Sequence, residues 1–350
     1  MKIATKSGQP RDRGTIMRSY LCALTCAAAT AFGSTASFAA DIKPALLYDL
    51  GGKYDHSFNE SAFNGAEKFK KEKGISFSEF EPSNDAQREQ ALRTFAQRGA
   101  DPIVTVGFTW ALALKKIAPQ YPKTRFVTID NTVDLPNVKS IEFRYNELAF
   151  LVGALAGIKT KTGTVGFVGG MDIPLIRDYE CGYETGARHT NPKVTVLQNM
   201  TGTTPSAWTD PARGRELALG QFDRGADIIF GAAGGTTMGI LQAAADANKL
   251  AIGVDSNQNG IHPGHVLTSA MSATDVAVYT ALSEAADGTW KAGATSLGVK
   301  EGGVNWVIDE NNRPLLTDDD IAKVDAVKND IVSGKVKVPE YAQTNSCPAR

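Results

Sequence analysis

Short runs of β-branched and apolar residues recur along most of the chain: PALLYDL, ISFSEFEP, PIVTVGF, RFVTID and SIEF, then TVGFVGG, KVTVLQN, ADIIFGAA, LAIGVDS, HVLTSAM and VNWVID. Between most of them lie stretches whose apolar positions return at helical spacing, such as DAQREQALRTFAQRG and TTMGILQAAADANK. Strands alternating with amphipathic helices predict an α/β protein of βα units on parallel sheets, with right-handed crossovers. Eleven such runs are many for one sheet and comfortable for two.

The stretch YNELAFLVGALAGIKTKTGTVGFVGG places a boundary between the sheets, because an apolar helix meets a short polar turn and then a fresh β-run. A first lobe is expected at 41–158 with about 266–298, where HVLTSAM and the helix after it cross back. A second lobe is expected at 159–265 with about 299–340, and residues 341–350 form a tail. Two doubly wound, Rossmann-like lobes joined by several crossings make a hinge around a ligand cleft.

The first forty residues break the pattern. Lys2, Lys6, Arg11, Arg13 and Arg18 precede the small apolar run LCALTCAAATAF and then STASFAAD, the order of a secretory signal peptide with cleavage after Ala39. The run is too short to span a membrane, and neither Cys22 nor Cys26 follows a lipidation pattern, so a free periplasmic protein is expected. Met17 offers a second start codon. The segment carries five Lys or Arg and one Asp, so its removal moves the formal net charge from −1 to −5. Such a chain has no electrostatic affinity for nucleic acid or anionic membrane. With 42% hydrophobic and 21% charged residues over 350, it is an ordinary globular sequence of two-domain length. Cys181 and Cys347 remain after export; they pair if the fold joins them and otherwise stay as two thiols.

In open α/β sheets the ligand lies beyond the carboxyl ends of the strands, so chemistry is sought there. Those positions give GGKYDHSFNESAF after the first run, Gly107-Phe108 after the third, Asp130-Asn131 after the fourth, GAAGGTTMG after DIIF, Asp255 after LAIGV and Met271-Ser272 after VLTSA. Ser57 and Glu60 have capping-box spacing, which starts a helix near Phe58 with Phe58, Ala62 and Phe69 on its inner face. Asn59 and Phe63, four apart, project together toward the cleft, with Asp55 just ahead of them. An acid, an amide and an aromatic suit a planar heterocycle, by stacking and by directed hydrogen bonds; the plain alternative is a capping acid and a core ring. Asp130 and Asp255 read as diol acceptors, as groups that balance a cation, or as caps. Gly234 and Gly235 allow close backbone approach, and Trp208 reads either as a ring cover or as helix packing.

Other chemistries lack their motifs. His56, His189, His262 and His265 show no metal-binding spacing, G-x-S-x-G is missing, and GAAGGTTMG is not a phosphate loop. A nucleoside hydrolase is a rival for similar ligands, but the dense aspartate cluster of that family is reduced here to Asp49 and Asp55.

The ordered set DHSFNESAFNG, FVTIDN, ELAFLVGALAG, GTVGFVGGMDIPLIRDYECGYETGA, DPARGRELA, DIIFGAAGGTTMG, IGVDSNQ and VLTSAMSATDVAVY resembles the basic-membrane-protein family of ABC-transporter substrate-binding proteins, over about residues 43 to 339. The resemblance implies a type I periplasmic binding protein, some of whose members are purine-nucleoside receptors. It further implies polar contacts from Asp55 and Asn59, base stacking by Phe63, a ligand-facing acid at Asp130, a glycine turn at Gly234 and Gly235, and ribose binding by Asp255. A second aromatic, Trp208 or Phe230, closes the other face of the base, and Phe108 joins the lining. One departure matters: the family commonly has Lys or Arg after TSAL, whereas this chain reads TSAMSA with Ser272 and Ala273. The expected protein is a monomeric, cofactor-free, non-enzymatic receptor that hands a purine nucleoside or nucleobase-like ligand to an inner-membrane permease. A receptor for a sugar or another heterocycle, or an exported hydrolase, are the rivals.

Overall fold

The computed structural model describes residues 42–347, so the expected signal peptide at 1–39 and the end of the tail lie outside the described residues. The first sheet holds Ala45–Leu47 (β1), Ser78–Phe80 (β2), Ile103–Thr105 (β3), Phe126–Ile129 (β4), Val138–Phe143 (β5) and Gly293–Leu297 (β11). The second holds Thr164–Met171 (β6), Thr195–Gly202 (β7), Ile228–Ala232 (β8), Leu250–Asp255 (β9), Val266–Ser272 (β10) and Val304–Trp306 (β12). The helices are Phe58–Lys73 (α1), Gln87–Gln97 (α2), Ala111–Ile117 (α3), Tyr145–Lys159 (α4), Pro174–Thr190 (α5), Pro211–Asp223 (α6), Thr237–Asp246 (α7), Thr274–Ala286 (α8), Asp318–Val332 (α9) and Tyr341–Thr344 (α10).

Both sheets have the same winding. The orders β2-β1-β3-β4-β5-β11 and β7-β6-β8-β9-β10-β12 correspond strand for strand, so β1, β3 and β4 have β6, β8 and β9 as counterparts. In each lobe the order reverses beside the first strand, which opens a crevice at the carboxyl ends of the strands. Every pairing is parallel except β12 against β10, where Ala270 faces Trp306 and Ser272 faces Val304.

Two expectations about the lobes need correction. HVLTSAM does not return to the first sheet: β10 lies beside β9 in the second, and only α8 and β11 go back. The first crossing falls near Arg144, not near residue 158, because α4 packs most heavily on α5 of the second lobe. The α4–α5 contact is made by small residues. A Cβ placed on Gly153 would fall 2.2 Å from the Tyr183 carbonyl oxygen, and one on Gly186 would fall 2.1 Å from that of Phe150. β11, with the sequence GATSL, has no apolar run to announce it; pairing with β5 alone makes it a strand.

The three crossings run side by side. Arg144 N donates to Leu297 O at 3.0 Å and Ala273 N to Gly303 O at 2.8 Å. Arg144 also pairs with Glu147 and Glu301, which ties the crossings together. The tail crosses back over α5, where Asp178 accepts from the Tyr341 and Ala342 backbones and a disulfide joins Cys181 to Cys347.

Two outcomes are expected. Gly186→Ala should lower the urea midpoint by the equivalent of about 1–3 kcal/mol, the usual cost of forcing a methyl into a filled contact; an unchanged midpoint would deny the close approach. Titration of the unreduced, denatured mature chain should find no free thiol, and two thiols would contradict the cross-link.

Candidate functional site

A cleft of about 630 Å³ opens where the strand ends of the two lobes face each other. Its first wall is built by the loops after β1, β3 and β4 and by the start of α1; its second by α5, the Trp208 loop, and the loops after β8 and β9.

The start of α1 is organised by Asp55. Its carboxylate accepts from the backbone N–H groups of Ser57 at 2.8 Å, Asn59 at 3.0 Å and Glu60 at 3.1 Å, satisfying donors that a helix start leaves open. The expected Ser57–Glu60 capping box therefore does not form. Glu60 accepts from the His56 backbone instead, and the Ser57 hydroxyl is released to donate across the cleft to Asp255 at 2.8 Å. Ser256 Oγ donates to Ser57 O and Gln258 Nε2 to His56 O, each at 2.8 Å, and these join the Ser57–Asp255 bond in linking the lobes at this rim. Asn59 is buried and holds the preceding loop, accepting from Asp49 N at 3.0 Å and donating to Gly52 O at 3.1 Å.

Asp130 and Asp255 occupy corresponding places, at the ends of β4 and β9, and both have left-handed backbones with φ of 65° and 63°. Each takes a phenol. Tyr145 donates to Asp130 at 2.7 Å and Tyr179 to Asp255 at 3.3 Å, while the two rings stack with centroids 4.6 Å apart at 22°. Burial raises the Asp255 pKa from 3.8 to about 7; the donors Ser57, Tyr179 and Ser272 oppose the rise and the charge of Asp55 adds to it. Burial lifts Asp130 well above 3.8 against the pull of Tyr145, with the charges of Asp255, Glu142 and Asp49 adding.

Asp55, Asn59, Phe108, Asp130, Trp208, Gly234, Gly235 and Asp255 all line the cleft. Phe63 does not. It sits a turn further along α1, edge-on to Tyr54 at 5.8 Å and to Phe77 at 6.5 Å, with the Lys53 ammonium 3.7 Å over its ring. The ring that α1 presents is Phe58, because the cleft reaches only the first turn of the helix. Phe230 is likewise withdrawn: it is fully buried among Phe167, Tyr179 and Tyr183. Of the two candidates only Trp208 lines the opposite wall, lodged where Gly170 has no side chain; a Cβ there would fall 2.1 Å from the indole. Ser272 lies behind the lining, bonded to Thr274 at 3.0 Å and to the Asp255 carboxyl.

Sequence reasoning missed Asp49, Tyr145 and Tyr179. Asp49 was available, since it lies two residues past the end of β1. Its Oδ1 accepts from Arg88 at 2.8 Å, Thr109 at 2.7 Å and Leu50 N at 2.7 Å. A Cβ on Gly107 would fall 2.0 Å from its Oδ2, so glycine keeps that space open. The tyrosines are hidden in helix sequences and carry no signal of their own.

The family described as ABC transporter substrate-binding protein PnrA-like (Bmp) matches residues 42–342. The chain belongs to this family. Among the relatives, an uncharacterised lipoprotein of Pyrococcus horikoshii is 37% identical over 285 residues, 77% of this chain and 69% of that one. The ABC transporter nucleoside-binding protein BmpA of Lactococcus lactis is 29% identical over 337 residues, covering 90% and 93%. A crystal structure of an ABC transporter solute-binding protein from Aeropyrum pernix superposes with a TM-score of 0.79 at 30% identity, covering 87% of this chain and 95% of that one. The two-lobed architecture is thus that of the type I solute-binding proteins, and the PnrA-like chain is a small-molecule receptor that serves a membrane permease.

In this PnrA-like protein the raised carboxyls link stability to pH. A carboxyl with a higher pKa folded than unfolded binds more protons in the folded state. Its contribution is complete below its unfolded value and is lost as the pH rises through its folded value, about 7 for Asp255. Between about pH 5 and pH 8 the melting temperature of Asp255→Asn should therefore fall less than that of the wild type. Parallel curves would show that Asp255 titrates normally.

Proposed function

We propose that this receptor binds a purine nucleoside or a related nucleobase-containing molecule between its lobes and delivers it, as a periplasmic monomer, to an inner-membrane ABC permease. The observation that carries the reading is the pairing of aromatic walls with polar edges: Phe58 and Phe108 on one side, Trp208 on the other, and Asp55, Asn59, Asp130 and Asp255 around them. Flat apolar faces suit a heteroaromatic ring, and acceptors at the rim suit its amino groups and sugar hydroxyls. The nucleoside-binding name of the Lactococcus relative supports the same class. Periplasmic release rests on the leader-like pattern of residues 1–39.

Binding works by population shift. Ligand contacts drawn from both lobes exist only when the lobes approach, so ligand favours the closed form. No covalent step is involved, and unchanged nucleoside after long incubation is the expected result where a hydrolase would release free base.

Calorimetric titration of protein unfolded and refolded to strip carried ligand, with adenosine, guanosine, inosine and the free bases, tests the class. Saturable binding of nucleosides supports it, and silence across the panel rejects it. Phe58→Ala or Trp208→Ala should weaken binding by about 10- to 100-fold, the worth of one stacked face. Phe63→Ala should change affinity by less than about threefold, as for a contact outside the site.

A further inference from the structure

The cleft wall has an uneven charge account. Four carboxylates line it, those of Asp49, Asp55, Asp130 and Asp255, and among the described residues no Lys, Arg or His does. Two of the four are compensated. Asp49 pairs with the buried guanidinium of Arg88, and Asp55 takes three backbone N–H groups at the positive end of α1.

Asp130 and Asp255 have only neutral donors. Tyr145 serves the first; Ser57, Tyr179 and Ser272 serve the second. Among the described residues Lys53 pairs with Glu79, Arg144 with Glu147 and Glu301, and Arg177 with Asp172 and Glu180. The groups facing the two acids from the surrounding elements are Asp49, Asp55 and Glu142, all of the same sign. Nor do the carboxylates form a metal shell, since among the described residues no three His, Cys, Asp or Glu are placed to hold an ion.

The stacked Tyr145 and Tyr179 tie the two carboxylates to each other, and both carboxylates line the same cleft, so the two uncompensated charges face a common ligand. Ser272, the last residue of β10, is buried and adds no charge. A positive group must therefore come from the solvent as a proton or from the ligand itself.

We propose that the cleft selects a cation: an aromatic ligand carrying a protonated amine or a quaternised ring nitrogen, its positive charge lying against Asp130 and Asp255. Phe58, Phe108 and Trp208 add to the selection, because an aromatic wall attracts a desolvated cation. The inference rests on the receptor reading above and sharpens it, since a neutral nucleoside would satisfy the two acids only by leaving protons on them.

The test compares matched pairs on ligand-stripped protein by calorimetry near neutral pH: adenosine with 5′-amino-5′-deoxyadenosine, and nicotinamide with its N-methylpyridinium cation. The cationic member should bind about 10- to 100-fold tighter in each pair that binds, the usual worth of a charge-assisted contact. Repeating the titrations in two buffers of different ionisation enthalpy should show proton uptake with the neutral member and less with the cation. Asp130→Asn should shrink the cation preference, and the proton count on the wild type stands even if that variant folds poorly. Equal affinity within the pairs, or tighter binding of the neutral member, overturns the inference while leaving a nucleoside receptor intact. Binding of the pyridinium cation but of neither nucleoside keeps it and removes the purine reading. Silence to all four compounds overturns both.

Discussion

Asp255 is where a contact between the lobes and the ligand wall meet in one side chain. It ends β9 in a left-handed conformation, receives Ser57 from the first lobe and Tyr179 from its own, and faces the ligand space. A non-glycine residue is held there only when its surroundings determine it closely, and here two hydroxyls, a strand end and a stacked ring pair do so. The Ser57 bond exists because Asp55, two residues earlier, already caps α1 and leaves the serine hydroxyl unneeded. Capping, lobe contact and ligand wall are therefore set by one local substitution of roles.

The correspondence of Asp130 with Asp255 follows from the repeated winding of the sheets. Identical strand order puts β4 and β9 in the same relation to their crevices, and a face-to-face arrangement brings their ends together. Burial of both without a guanidinium or ammonium partner costs stability that a structural role would not require, since neutral residues would fill the same space. Two left-handed, uncompensated acids at one cleft mark the place where binding energy is recovered.

The central strands were readable because parallel strands buried on both faces are apolar throughout, as in β1, β3, β4 and β8, and eleven of the twelve strands lie within β-branched or apolar runs. β11 did not, because an edge strand of GATSL owes its form to β5 and not to its own residues. The strand-end rule located Asp130, Asp255, Phe108 and the Gly234–Gly235 turn on the cleft, since it depends only on chain direction. It failed at the helices. Asn59 and Phe63 share a face by spacing, yet the cleft ends after one turn of α1, and the depth of a cleft along a helix is not written in periodicity. Tyr145 and Tyr179 were invisible for a related reason: their function comes from stacking on each other between helices that meet through glycine contacts, a relation of two distant segments.

Closure in such a receptor must be favourable with ligand and yet reversible at the permease. The three hydrogen bonds between residues 56–57 and 255–258 contribute about 0.5–1.5 kcal/mol each at most, because each replaces a bond to water. Against them stands the cost of enclosing Asp130 and Asp255 without a counter-charge, and the two terms oppose each other at the same residue. A ligand that settles the charge removes the opposing term and leaves the rim bonds to hold the lobes shut. The latch is then weak alone and effective with the right occupant, which is the behaviour that population shift demands, since only a ligand with different affinity for the two states moves the balance.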